Sequence, residues 1–347
     1  MGLLHTQRIS NLHNIRKLAY LISAANSKNF FDARSTADHI FQGSRAVRSP
    51  EVTDFIKKVF EDQLLDRGLN KSDNLSEFKN LFTNWIAAHE SSTVSGLDQY
   101  QMDFSAGTTQ SFDSFYLRHR NRKFRCYTGE YFYHLKTWIS NQINWSFITE
   151  DDPVSSNDAV VISMPFCDTG SLHPEYDQLI SVCEQLGVPV LVDCCYYPIS
   201  GDVKIDVSSS CIDTVSFSLS KAFPIANLRI GVRYTRNTID GQKLHDIINY
   251  NNNLSAYIGA RIIDEFPSDY IYNKYKHKQM IVCDYFGLVP GNSVMFAVGN
   301  AEWNQYSRRN LLDRYQLDMD PSKFNNRVSL VSVFENWNLF EEIKNET

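Results

Sequence analysis

Apolar side chains in the first part of the chain fall at helical spacing. Val52, Phe55, Ile56, Val59 and Phe60 mark one face of a helical period, and Ser49-Pro50 ahead of them supplies an N-cap and a first-turn proline. This predicts an amphipathic helix from Ser49 to about Leu65. Leu75, Phe78, Leu81, Phe82, Trp85 and Ile86 repeat the stripe after Asp73, with a polar connection over Arg67 to Ser72 between the two. The middle of the chain changes period. Short apolar runs at Phe124 to Tyr127, Ala159 to Met164, Pro189 to Val192, Thr214 to Ser218 and Arg229 to Tyr234 are bounded by turn residues, the pattern of sheet strands buried on both faces. Between the second and third runs, Tyr176, Leu179, Ile180, Cys183 and Leu186 form one helical face over Pro174 to Leu186, closed by Gly187. That is a complete βαβ unit. After about Leu244 comes a long polar and aromatic region, then a hairpin-like Gly287 to Asn292, strands at Ser293 to Val298 and Arg327 to Val333, and a helix from about Glu335 to Ile343.

Composition narrows the class. Of 347 residues, 43% are hydrophobic and 21% charged, enough to bury a full core, so disorder, collagen and coiled coil are excluded. With 34 basic against 40 acidic side chains the net charge is -6, which leaves no basic footprint for nucleic acid or anionic lipid. No window approaches the roughly 20 apolar residues of a membrane span, and the first residues lack a signal-peptide layout. The seven cysteines are scattered without metal-site spacing and read as reduced thiols. We therefore expect a soluble cytoplasmic protein with no metal.

The chemistry concentrates at the strand ends. Lys221 follows the strand ending at Ser218, inside Ser218-Leu-Ser220-Lys221, and Arg229 comes eight residues later, which sets an amine and a guanidinium around a common anion. Asp193 ends another strand in Val190-Leu-Val-Asp193-Cys-Cys-Tyr196. Gly107-Thr108-Thr109 precedes a helical segment, where backbone N–H groups suit a phosphate. Thr128-Gly129-Glu130-Tyr131 follows the strand at 124–127, and Arg327 opens a C-terminal strand, its guanidinium the natural partner of a planar carboxylate.

Together and in this order, these segments resemble those of the fold type I pyridoxal phosphate (PLP) enzymes, the class I/II aminotransferase family, over roughly residues 43 to 335. The resemblance implies an α/β fold: a large domain with a mixed, mostly parallel sheet over residues 70–255, and a small domain from residues 1–69 and 256–347. It implies that Lys221 forms a Schiff base with pyridoxal 5'-phosphate and that Asp193 pairs with the pyridinium nitrogen, keeping the ring an electron sink. It further implies that Tyr196 donates to the ring's phenolate oxygen and Tyr131 stacks on the ring. Gly107, Thr108, Thr109, Ser218, Ser220 and Arg229 would hold the phosphate, and Arg327 the α-carboxylate of an amino acid or keto acid. A homodimer is implied as well.

One departure stands out. Pro165-Phe166-Cys167-Asp168-Thr169-Gly170 corresponds to a family segment with asparagine where Cys167 stands, and a thiol is a weak donor. An inward Asp168 would put an acceptor beside a phenolate, which is electrostatically unfavourable. Cys194 and Cys195 read as packing residues. The expected activity is that of an aminotransferase, with a lyase, decarboxylase or cyclase of the same fold as the alternative; the retained Lys221, Asp193, Tyr196 and Arg229 argue against a non-catalytic binding protein. For the substrate side chain, Arg34, Arg45, Arg48, Tyr257, Tyr270 and Tyr272 are candidates with no spacing argument to choose among them.

Overall fold

The computed structural model describes residues 2–27, 39–61, 73–236 and 239–346. Arg34 and the connection at 67–72 lie outside them. The N-terminal stripes form α2 (Pro50–Glu61) and α3 (Asn74–Ala87), preceded by α1 (Gly2–Ser27), a helix the apolar pattern does not announce.

Among the described residues the central sheet has seven strands. In chain order they are β2 (Gln101–Ser105), β3 (Lys123–Cys126), β4 (Trp145–Phe147), β5 (Asp158–Ser163), β6 (Val190–Asp193), β8 (Ile212–Ser218) and β9 (Gly231–Thr235); the short β1 (Thr93–Ser95) pairs separately with β7 (Lys204–Asp206). Their spatial order is β2-β9-β8-β6-β5-β3-β4, parallel except that β9 runs against both neighbours. Side chains of a strand alternate between faces, so Val160, Ile162, Val190 and Val192 enter one core while Ala159, Val161 and Leu191 enter another. That division is why the central strands read as unbroken apolar runs. The crossover between β5 and β6 is α6 (Tyr176–Leu186), which stops at Gly187 with φ +63°. The left-handed conformation there costs glycine nothing. Helices α4 (Thr108–Arg118) and α5 (Phe132–Ser140) follow β2 and β3.

Two expectations need correction. Arg229 does not open β9; it sits ahead of it with φ +53°, and the strand begins at Gly231. The region after Leu244 is mainly helical: α7 (Gly241–Ile247), α8 (Asn253–Glu265), which spans residue 255 and packs on α3, and α9 (Tyr270–Phe286).

The remaining segments gather around a three-stranded antiparallel sheet of β10 (Val289–Pro290), β11 (Phe296–Val298) and β12 (Arg327–Ser329). The C-terminal strand stops at Ser329, and the chain continues as α11 (Val331–Glu335) and α12 (Trp337–Asn345), after the short α10 (Leu311–Tyr315) upstream. Both ends of the chain meet here. The Ser329 N–H donates to Phe41 O at 2.7 Å, Lys17 pairs with Glu346, and Asn14 Nδ2 donates to Tyr285 OH at 2.8 Å. Among the described residues no helix is long and apolar enough to cross a membrane.

Candidate active site

The sheet register fixes the site. Ser163 pairs with Asp193, Asp193 with Ser216, and Gly231 lies between Ser218 and Ser105, so the carboxyl ends of β2, β5, β6 and β8 reach one edge. An open α/β sheet leaves its crevice at that edge. Beyond β8 the chain turns tightly. Ser220 N and Oγ both lie on Ser218 Oγ, at 3.2 and 2.8 Å, and Leu219 N donates to Ile230 O at 3.1 Å. This turn presents Lys221, whose Nζ donates to Ser44 O at 2.5 Å and Ser44 Oγ at 3.2 Å.

One end of the crevice is an anion cradle. Gly107, φ +76°, caps α4, so the unpaired N–H groups of its first turn open there. Ser105 Oγ holds the turn through Gly107 O at 2.6 Å, and Arg229 Nη2 donates to Thr109 Oγ1 at 3.0 Å. A Cβ on Gly107 would stand 2.3 Å from that Arg229 nitrogen and displace it, and the φ of +76° is one that favours glycine.

The other end is acidic and buried. Asp193 Oδ1 accepts from Cys195 N at 3.1 Å and Ser216 Oγ at 3.3 Å, while Oδ2 has no partner among the described residues. Burial, and next the charge of Glu130, pushes the Asp193 carboxyl up to about 8. Glu130 is fully buried and accepts from Ser163 N at 2.7 Å, Ser163 Oγ at 2.5 Å and Tyr131 N at 3.0 Å. Burial raises its own pKa too. His134 Nε2 approaches Glu130 at 4.0 Å, but burial lowers the imidazole to about 3, so that contact is not an ion pair.

Cys167 faces the crevice. Its Sγ lies 3.5 Å from Tyr196 OH, and Arg327 Nη1 donates to Cys167 O at 2.7 Å and Tyr196 OH at 3.3 Å. Asp168 turns away, as its electrostatics require. Its Oδ1 accepts from Arg308 Nη1 at 2.9 Å, and its Oδ2 accepts from Asn325 N and Nδ2 at 2.7 and 2.9 Å. Arg308 also donates to Gly129 O at 2.7 Å and Glu130 O at 2.5 Å and lies 4.1 Å over the Phe132 ring. It ties the segment before Tyr131 to the small sheet.

The structure thus brings Thr108, Thr109, Tyr131, Cys167, Asp193, Tyr196, Ser218, Ser220, Lys221 and Arg229 around one cavity, with Gly107 behind Arg229. Arg327 lines an adjoining cavity of about 470 Å³ that shares Tyr131, Cys167, Tyr196 and Lys221 with it. Cys195 is a correction: it lines the inner cavity, because the turn after β6 sends its side chain inward while Cys194 stays in the core. Ser163, Glu130, Arg308 and Arg314 were not singled out by sequence; Ser163 could have been found as the strand-end neighbour of Asp193. None of the described side-chain specificity candidates lines either cavity. Arg45 pairs with Glu335, and Tyr272 donates to Asp202 at 3.3 Å. Among the described residues no group of three or more His, Cys, Asp or Glu is arranged to hold a metal.

No family model matches the sequence, and neither does any curated protein. Solved structures do match. A PLP-bound C-S lyase from Staphylococcus hominis superposes with TM-score 0.63 at 14% identity, over 87% of this chain and 90% of that one. Histidinol-phosphate aminotransferase from Clostridium acetobutylicum gives 0.57 at 12%, over 88% and 99%. An aromatic aminotransferase from Pyrococcus horikoshii OT3 gives 0.58 at 12%, over 89% and 95%. At such identities the likeness is one of fold: the chain has the aspartate aminotransferase-like architecture of these enzymes.

Proposed function

We propose that this chain, built on the fold of PLP-dependent fold type I enzymes, is an aminotransferase that acts on an amino acid through pyridoxal 5'-phosphate held on Lys221. The observation that carries the reading is the crevice's polarity: an anion cradle at one end, a buried aspartate with an unpartnered oxygen lining the other, and a lysine amine between. The residues fit the cofactor. The Gly107 turn, which a Cβ would fill, suits a phosphate together with Thr108, Thr109, Ser218, Ser220 and Arg229. Asp193 Oδ2 suits a protonated ring nitrogen, and a cation there would relieve the raised carboxyl. Tyr131 would lie against the ring, and Tyr196 with Cys167 beside its hydroxyl oxygen.

When bound, the cofactor supplies an electron sink for the α-carbon of an attached amino acid. Lys221 would leave Ser44 to hold the cofactor. Released by an incoming amine, its Nζ would take the α-proton and return it to the acceptor carbon. Arg327, already buried at the cavity wall, would fork onto the α-carboxylate and so fix which α-bond faces Lys221. The weak donor Cys167, in contact with Tyr196, favours one second reading, a lyase, decarboxylase or cyclase of the same fold.

An absorbance spectrum after loading with pyridoxal phosphate tests the reading. We expect a Lys221-dependent band near the visible edge that amino acids convert to a pyridoxamine-like near-ultraviolet band. A band that shifts without converting points to the second reading. A protein that forms no band, or in which Lys221→Ala turns over at the parent rate, rules both out. The reading includes a cytoplasmic homodimer, which light scattering tests for its size.

A further inference from the structure

Glu130 is a buried acid for which the proposed function has no task. It lines neither cavity, while Tyr131 and Ser163 beside it line the inner one. In the parallel register Ser163 lies opposite Asp193, so both side chains leave the sheet on the same face. Glu130 reaches that face from the turn after β3: its Oε1 accepts from Ser163 N at 2.7 Å and Ser163 Oγ at 2.5 Å, and its Oε2 accepts from Tyr131 N at 3.0 Å. Two of the donors are backbone amides, and an ionised carboxylate accepts all three bonds. Burial raises the Glu130 carboxyl, whereas these bonds and the charge of Arg308 lower it.

The groups facing Glu130 leave its charge to act on Asp193. His134 Nε2, at 4.0 Å, belongs to an imidazole that burial keeps neutral. Burial, reinforced by Glu130, also keeps the Cys126 thiol and the Tyr116 hydroxyl protonated. Arg308 is shared with Asp168 at 2.9 Å. At Asp193, Glu130 is the largest influence after burial and raises the carboxyl, against the bonds from Cys195 and Ser216 and the charge of Lys221.

Resting on the proposed function, we infer that Glu130 is a positioning residue for the cofactor's ring nitrogen: its negative charge, acting through Asp193, keeps the proton on that nitrogen. Asp193 alone offers the ring one carboxylate. With Glu130 beyond it the ring's proton faces two negative charges, and burial screens the second only weakly. In the cofactor-free protein the same charge favours a protonated Asp193, so the arriving cation takes the place of that proton.

The test uses the full chain loaded with pyridoxal phosphate carrying nitrogen-15 in its ring, whose magnetic resonance shift reads the proton directly and needs no turnover. In the parent the ring nitrogen should stay protonated up to about pH 9. Glu130→Gln, which keeps the shape and removes the charge, should move the loss of that proton down by about one pH unit. Glu130→Asp, shorter but still charged, should stay near the parent. A purely structural Glu130 would lower the melting temperature in both variants and leave the nitrogen signal where it was, which overturns the inference. So does an equal shift in both variants, or a parent ring nitrogen that loses its proton below about pH 8, a result that needs no variant to fold. A protein that forms no Lys221-dependent band overturns the proposed function itself, whereas a band with an unmoved nitrogen signal overturns only the part assigned to Glu130.

Discussion

Buried charge is handled in opposite ways at the β2–β9 edge of the sheet and at the ends of β5, β6 and β8. At the edge, Arg233 meets Asp103 at 2.8 Å and Asp240 at 2.6 Å, and Lys243 meets Asp103 at 2.7 Å. Against the pull of burial, the hydrogen bond from Arg233 holds the Asp240 carboxyl down to about 2. At the strand ends, Asp193 is raised rather than lowered, and Arg327 finds only dipoles and the Phe296 ring, 4.3 Å beneath its guanidinium. The same residue types are cross-linked in one place and held apart in the other. A carboxyl so placed can shed its charge by taking a proton; a guanidinium cannot, so Arg327 stays charged beside the carbonyl and hydroxyl that accept from its Nη1. Charge balanced within the chain serves stability, whereas charge set apart in the crevice is what a ligand of opposite sign would meet under the proposed function.

The contrast is open to direct attack. Arg233→Met breaks the ion pairs to both Asp103 and Asp240, which keep Lys243 and Arg118 as their remaining partners, and should cost about 3–5 kcal/mol in urea unfolding; a loss below about 1 kcal/mol would mean that the edge cluster is not a structural unit. The next effect is on pH. Asp193 binds its proton more tightly folded than unfolded, so its contribution is complete below the unfolded pKa and is lost as pH rises toward 8. The cofactor-free protein should lose about 3 kcal/mol between pH 5 and 8 from this group, and Asp193→Asn should flatten the slope of Tm against pH. Arg327→Met leaves no carboxylate stranded. It should barely move the unfolding midpoint yet raise KM for the amino acid by about two orders of magnitude, an outcome opposite in kind to Arg233→Met. The smallest effect belongs to Glu130→Gln. Removing its charge should move the alkaline limit of the Asp193 slope downward, read by the same Tm series; an unchanged limit would show that burial alone sets the carboxyl.

What could be read from sequence follows from where information is local. Lys221 with Ser218 and Arg229, and Asp193 with Tyr196, lie in short segments at strand ends, so the resemblance of those segments to the family's motifs brought them into view. Five of the seven described large-sheet strands were legible because both of their faces are buried; the edge strands β2 and β4, only partly buried, were not. Helix α8 was not, for a related reason: its buried Ser255, Ala256, Tyr257, Ile258, Gly259, Ala260, Ile262 and Ile263 surround the helix, so no stripe stands out. In α9 the buried positions are Ile271, Tyr272, Tyr275, Gln279, Val282, Cys283 and Phe286, and the amide at Gln279 breaks the apolar stripe. Gln279 is inside because its Nε2 donates to the carbonyls of Gly291, Ser293 and Phe296 at 3.1, 3.1 and 2.8 Å. The outer cavity was the least legible part, since Ser44, Arg308, Arg314 and Arg327 meet only in three dimensions.

Asp168 and Arg308, 140 residues apart, form one heritable unit. Replacing Asp168 first would bury an unbalanced guanidinium, and replacing Arg308 first would bury an unbalanced carboxylate, each at about 3–5 kcal/mol. Neither single step is neutral, so a descendant of this sequence reaches a neutral residue at 168 only by changing both positions together or by first accumulating stability elsewhere.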